Sequence, residues 1–306
     1  MSDQPAILAR SLTRRFGAVT AVDGLGLEVK SGELFGLVGP DGAGKTTVMR
    51  LLAGILRPTS GEAWVEGHSI IHESERIKEK IGYMSQRFGL YEDLTVMENL
   101  VFYADLYETP QKERPGRIER LLTFSNLAPF TDRLAGALSG GMKQKLGLAC
   151  ALIHTPKVLL LDEPTNGVDP VSRRDFWRIL YAMLREGVTI FVSTAYLDEA
   201  ERFGRVGFLD KGKLLVTDDP KAIKNSLGRP MFELTADNAR AAAQIAVKTP
   251  GVAGANVYGH KAHVSTESHE VAELLKKALT EGGVQIKDWR QITPSLEDMF
   301  ISMVER

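Results

Sequence analysis

"GPDGAGKTT", residues 39–47, decides how the rest of the chain is read. It fits G-x-x-x-x-G-K-[ST], a pattern that cradles phosphate when a strand precedes it and a helix follows. The flanking sequence predicts both, with "ELFGLVG" (33–39) as the apolar strand running into the loop. Gly39, Gly42 and Gly44 let backbone N–H groups converge on phosphate oxygens, with Pro40, Asp41 and Ala43 completing the turn. Lys45 is placed to bridge the outer phosphates, the Thr46 hydroxyl to ligate Mg2+, and Thr47 closes the motif.

Two more apolar runs, "KVLLLDE" (157–163) and "VTIFVST" (188–194), are bounded by turn or charged residues. Such runs suit strands buried on both faces of a parallel sheet. The first ends in Asp162-Glu163, and an acidic residue at the C-terminal end of a parallel strand sits beside the phosphate loop. Asp162 is expected to hold Mg2+ through its water shell, and Glu163 to orient or deprotonate the attacking water. Between Tyr83 and Lys157 the periodicity turns helical, as in "VMENLVFYADLY" (96–107) and "MKQKLGLACALI" (142–153). This predicts an α/β core with a helical subdomain over about 87–155. Gly228 and Pro230 then punctuate the chain, so the expected domains are 1–227 and 228–306. The second domain reads βαββαβ plus a last helix, with a hairpin turn at Gly259, which predicts a small ferredoxin-like α+β unit.

Composition narrows the partners. Lys plus Arg number 38 against 39 Asp plus Glu, a formal net charge of −1. That balance gives no electrostatic case for nucleic acid. The single cysteine, Cys150, falls in an apolar helical run and is expected in the core, in a reducing compartment. No apolar stretch approaches the ~18–20 residues of a membrane span. "MSDQPAILAR" (1–10) lacks leader architecture. The expectation is a cytoplasmic chain whose membrane role comes through another subunit.

"LSGGMKQ" (138–144) narrows the field further. Ser139, Gly140 and Gly141 open a helix, and a helix N-terminus with two glycines favours an anion. With this signature in place, residues 6 to about 225 resemble the ATP-binding subunits of ABC transporters. The resemblance implies ATP and Mg2+ as cofactors and a head-to-tail homo- or heterodimer with a second ATP-binding subunit or module. In that dimer the signature and Asp169 of "GVDP" serve the phosphate held by the partner. It further implies that Phe16 stacks on adenine. Gln86 of "GYMSQ" would sense Mg2+ and touch the membrane subunit, and residues 87–110 would face the permease. The region after Pro230, ending in "PSLEDMFISMV", resembles the C-terminal extension of drug- and polyketide-exporter ATPases. That points to an ABC-2-type permease, a place on the inner face of the plasma membrane, and a regulatory or dimer-stabilising extension. "GPDGAGKTT", "FGLYEDLTVMENL" and "LSGGMKQKLGLAC" resemble the first module of tandem multidrug-exporter ATPases, of which this chain holds one.

Two positions depart from the family. "FVSTAYLDEA" (191–200) has Ala195 where the family places a histidine at the γ-phosphate. None of His68, His72, His154, His260, His263 and His269 is an obvious replacement, and His68 and His72 are expected at the surface near a turn. The loop carries Asp41 where most relatives have asparagine. A carboxylate ~5 Å from a phosphate charge, at an effective dielectric of ~20, costs roughly 3 kcal/mol per unit charge. A side chain turned to solvent escapes that cost, and an engineered His→Ala change is an alternative origin for Ala195. Both positions belong to the chain's own ATP site, whereas the signature and Asp169 are intact. The expectation is an exporter ATPase with a slow site. The rival is a soluble or regulatory ABC ATPase with little turnover, which Ala195 favours and Glu163 opposes.

Overall fold

The computed structural model describes residues 4–86 and 89–304. The chain divides into two compact units, Met1–Thr217 and Asp218–Arg306.

The first unit opens with β1 (Ile7–Phe16) and β2 (Val19–Val29), paired antiparallel. β3 (Leu34–Val38) leads through the phosphate loop into α1 (Lys45–Leu52). Next come β4 (Ser60–Val65), β5 (His68–Ser69), α2 (Ser74–Lys80) and β6 (Ile81–Met84). The helical stretch holds α3 (Val96–Leu106), α4 (Arg114–Ser125) and α5 (Gly140–Leu152). The chain returns through β7 (Val158–Asp162), α6 (Pro170–Arg185), β8 (Thr189–Thr194), α7 (Leu197–Ala200), β9 (Arg205–Asp210) and β10 (Lys213–Asp218).

Among the described residues these strands make a six-stranded sheet, β10-β9-β3-β8-β7-β6, and a four-stranded sheet, β2-β1-β4-β5. Every residue of β3, β7 and β8 is buried, as the apolar runs predict. β3 runs parallel to β8 on one side and β9 on the other, and β7 is parallel to β6 and β8. The rings of Phe35 and Phe191 stack at 5.3 Å across the β3–β8 pair. This register carries the C-terminal ends of β3, β7 and β8 to one edge of the sheet, where ligands of open α/β folds bind. The four-stranded antiparallel sheet is an element the sequence reading does not separate. Its strands are half exposed and interrupted, β2 by Asp23, Gly24 and Gly26, so no continuous apolar run marks them.

The helical stretch has sharp local causes. Thr95 caps α3 in a reciprocal box: Glu98 N donates to Thr95 Oγ1 (3.1 Å) and Thr95 N donates to Glu98 Oε2 (2.8 Å). Cys150 is buried in α5, and burial pushes its thiol well up from the ordinary range. His68 is half-buried beside Glu73 (3.3 Å), and His72 is exposed. No helix among the described residues is long and apolar enough to cross a membrane.

The second unit holds α8 (Pro220–Asn225), β11 (Met231–Ala236), α9 (Ala239–Lys248), β12 (Val252–Tyr258), β13 (Lys261–Thr266), α10 (His269–Glu281), β14 (Ile286–Ile292) and α11 (Leu296–Val304). Its antiparallel sheet has the order β12-β13-β11-β14, which with βαββαβ connectivity is the ferredoxin-like arrangement. The β12–β13 turn is Gly259-His260. The division between units falls at 217/218, ahead of the Gly228 punctuation, because α8 packs against α11 within the second unit.

A charged cluster ties α11 to the sheet. His263 Nδ1 lies 2.9 Å from Asp298 Oδ1, and its Nε2 lies 3.4 Å from Glu233 Oε2. The Tyr258 hydroxyl donates to Asp298 Oδ1 (3.1 Å), and Lys261 and Arg290 bind Glu233 at 3.0 and 2.6 Å.

Candidate functional site

The phosphate loop leaves β3 at Gly39, whose N–H donates to Thr194 O of β8 (3.2 Å). Gly44 has φ +108°, and a Cβ there would sit 2.2 Å from Ala21 O, so the tight entry into α1 requires glycine. Lys45, the first residue of α1, is 4% exposed. Its ammonium spends its three donors on Gly39 O (2.8 Å), Pro40 O (2.9 Å) and Glu163 Oε1 (3.0 Å). The loop's Asp41 and Gly42 are exposed, Ala43 is buried, and Thr46 and Thr47 are half-buried on the first turn of α1.

Asp162 ends β7 with no solvent exposure. Its Oδ1 accepts from Thr46 Oγ1 (3.2 Å) and Ser193 Oγ (2.7 Å). Its Oδ2 is buried and has no hydrogen-bond partner. A buried carboxylate oxygen left open beside a threonine hydroxyl fits a hard cation that completes its shell with water and phosphate oxygen. The donor set therefore suits Mg2+. Ser193, which the sequence reading does not single out, faces Asp162 in the β7–β8 register. That register is the signal that finds it.

Glu163 lies just past the strand with φ +48°, in the left-handed region. Such a backbone costs a non-glycine residue about 1–2 kcal/mol. Its N–H is held by both Ser193 O and Ser193 Oγ at 3.1 Å. Its Oε2 accepts from Gln86 Nε2 (3.1 Å) and Asn166 Nδ2 (3.3 Å). The structure thus brings Gln86 to Glu163. Beyond Gln86, Arg87 and Phe88 of the expected permease-facing segment lie outside the described residues. Asp41, Glu163, Asn166, Thr194, Ala195 and Tyr196 line one cavity of about 150 Å³, so the two departing positions share it with Glu163.

Phe16 ends β1 and is 46% exposed, with the Arg14 guanidinium 4.5 Å from the ring centroid.

The signature residues serve as helix starts. Ser139 caps α5 by accepting from Met142 N (3.3 Å), and Gly140 and Gly141 form its first turn. Asp169 caps α6, its Oδ1 accepting from Val171 N (3.1 Å) and Ser172 N (2.9 Å). The Ser172 hydrogen bonds hold its carboxyl below the usual range. A Cβ on Gly141 would lie 2.3 Å from Ser172 Oγ and 3.2 Å from Asp169 Oδ2, so the two helix starts touch through a glycine.

A larger hollow of about 880 Å³ is lined by Ile55, Glu79, Tyr83, Leu106, Tyr107 and His154. Ile55 and Leu106 are exposed, and His154 stacks on Tyr107 at 3.9 Å.

Comparison with known proteins accounts for this geometry. Residues 22–166 match the ABC transporter family, and residues 219–304 match the C-terminal domain of DrrA1-3-like ATP-binding proteins. The probable multidrug ABC transporter ATP-binding protein YbhF of Escherichia coli (strain K12) is 44% identical over 97% of this chain. The chain spans about half of that relative's length, 52%. The daunorubicin resistance ATP-binding protein DrrA2 of Streptomyces coeruleorubidus is 32% identical, over 98% of this chain and 95% of its own. The dimeric post-hydrolysis state of the ATP-binding cassette MJ0796, bound to ADP and Pi, is similar in structure. It covers 70% of this chain and 98% of its own, with TM-score 0.64 and 25% identity. A phosphate loop, a capped signature helix and a carboxylate pair on one sheet edge, matched along the chain by these relatives, place this protein in the family of ABC transporter ATP-binding subunits.

Proposed function

We propose that the chain binds ATP with Mg2+ and hydrolyses it as the ATP-binding subunit of an ABC-2-type membrane exporter. It would act on the inner face of the plasma membrane, dimerised with a second ATP-binding subunit or module. The observation that carries this reading is the buried group in which Lys45, Thr46, Asp162 and Glu163 meet.

Lys45 exchanges Glu163 for the outer phosphates when ATP enters, which frees the carboxylate. Gln86 and Asn166 then orient Glu163 to take a proton from the attacking water. Thr46 Oγ1 and Asp162 Oδ2 would hold magnesium, with Gln86 nearby, and the ion supplies neutralisation of phosphate charge. Phe16, half exposed at the end of β1, takes the adenine. Ser139, Gly140, Gly141 and Asp169 serve the partner's ATP. The hollow beside Leu106 and Tyr107, which Glu75, Lys78, Glu79 and Glu108 also line, is proposed to receive a permease segment of mixed apolar and charged character, and the permease carries the choice of substrate. The name of the daunorubicin-resistance relative favours drug-like cargo. The DrrA-like unit is proposed to regulate or stabilise the dimer.

Ala195 and Asp41 make the chain's own site slow. The same cavity favours a second reading, a regulatory subunit that holds ATP with little turnover. Phosphate release by the purified chain, alone and with its permease, separates the two. The hydrolytic reading requires turnover that Glu163→Gln removes; turnover indifferent to that change sinks it.

A further inference from the structure

Ala195 ends in a methyl group, yet the cavity it lines holds a second line of polar contacts to the base. The Tyr196 hydroxyl donates to Asn166 Oδ1 (3.2 Å), and Asn166 Nδ2 donates to Glu163 Oε2 (3.3 Å). The order of atoms is dictated by chemistry. A carboxylate only accepts, so the amide must turn its NH2 toward Glu163, which leaves Oδ1 for a donor. The tyrosine hydroxyl is that donor.

Tyr196 is itself fixed at both ends. The Arg173 guanidinium lies 4.9 Å from its ring centroid. Its backbone N–H donates to Thr194 Oγ1 (3.0 Å), and that hydroxyl donates to Glu199 Oε2 (2.9 Å). Glu199 is 1% exposed. It also accepts from Thr165 Oγ1 (2.7 Å) and Trp177 Nε1 (3.4 Å). Donors from β8, from the loop after Glu163 and from α6 thus converge on one buried carboxylate. They lock the backbone from which Tyr196 reaches back to Asn166. A chain of hydrogen bonds polarises along its length, so the far hydroxyl strengthens the near amide contact.

We propose that Tyr196 is a positioning residue for Glu163, acting through Asn166. The inference rests on the hydrolytic reading above. Once Lys45 has left Glu163 for phosphate, Oε2 keeps two amide donors, Gln86 and Asn166. The angle of the carboxylate toward water then depends on how firmly Asn166 is held.

The test is single-turnover cleavage of γ-labelled ATP by excess full-length chain, which detects slow rates, run beside nucleotide titration and thermal melting. Tyr196→Phe removes one oxygen and keeps the ring under Arg173. The expected result is a cleavage rate about fivefold lower, the scale of one net hydrogen bond, with unchanged affinity and melting temperature. On an Asn166→Ala background, Tyr196→Phe should cost nothing further, because the relay is already cut. An unchanged rate in Tyr196→Phe overturns the inference. So does a loss of equal size on the Asn166→Ala background, or one matched by a loss of affinity or stability. These outcomes leave the hydrolytic reading standing provided Glu163→Gln abolishes cleavage. A wild-type chain no faster than ATP in buffer, or a Glu163→Gln chain as fast as wild type, overturns both.

Discussion

Lys45 Nζ lies 3.0 Å from Glu163 Oε1, with side chains 4% and 10% exposed. The cation of the phosphate loop and the buried carboxylate after β7 neutralise one another in this arrangement. Phosphate must therefore compete with Glu163 for Lys45. Glu163→Gln removes the competitor, so nucleotide affinity is expected to rise several-fold while hydrolysis falls by about 10²-fold or more. Lys45→Ala removes the cation and leaves a buried carboxylate without its charge partner. It should weaken nucleotide binding and destabilise the free chain by about 2–3 kcal/mol. Nucleotide titration and denaturant melts of both variants check these opposed signs.

Ala195→His should raise hydrolysis, because it adds a donor to the cavity shared with Glu163. One preorganised donor is worth about 10²–10³ in rate, and part of that is expected back. Asp41 lines the same cavity, and on the slow-site proposal its carboxylate disfavours phosphate charge, so Ala195→His with Asp41→Asn should exceed either single change. Steady-state phosphate release compares the three variants. No gain in any of them, while Glu163→Gln alone abolishes turnover, would mean the site was competent already.

Gly141→Ala places a methyl group where Ser172 Oγ stands. Overpacking of this kind costs about 1–3 kcal/mol. The loss should be less than additive when combined with Ser172→Gly, since the second change removes the clashing atoms. Urea unfolding of the two single variants and the double variant measures the coupling.

The His263 cluster makes the docking of α11 depend on pH. The hydrogen bond to Asp298 raises the pKa of His263 against desolvation, with Glu233 adding to the rise. A raised histidine stabilises the fold fully below its unfolded value of about 6.5 and stops doing so as pH climbs through the folded value. The Lys261 hydrogen bond, with Arg290 and His263, brings Glu233 down to about 2. Desolvation pushes Asp298 up, but the His263 and Ser295 hydrogen bonds together hold it below the usual range. These carboxylates withdraw their contribution only as pH falls through their depressed values. Amide exchange over Leu296–Val304, corrected for intrinsic rates, should quicken from neutral to alkaline pH. His263→Gln should flatten that rise.

The apolar runs of β3, β7 and β8 were legible because both faces of those strands are buried, so hydrophobicity needs no alternation to show itself. The phosphate loop and signature were legible because each motif is local. What joins them is not. Thr46 and Asp162 are 116 residues apart, and Gln86 and Glu163 are 77 apart. Their contacts arise from sheet order, which no window of sequence contains. Ser193 and Asn166 stayed silent for a related reason: a serine in a strand and an asparagine in a loop are ordinary until register sets them beside a carboxylate. The small antiparallel sheet escaped because glycines break its pattern.

Ser139 and Asp169 supply the oxygens that start α5 and α6. An experimentalist who randomises these positions and selects only for a soluble, folded monomer will still recover them, since losing either cap costs about 1 kcal/mol. Tolerance maps drawn from such a screen would score both as scaffold and hide the partner-facing role proposed for them. Substitutions that exchange one capping oxygen for another, Ser139→Asp and Asp169→Asn, keep the helix starts while altering the charge offered across the interface. They are the changes at which a folding screen and a transport screen should part company.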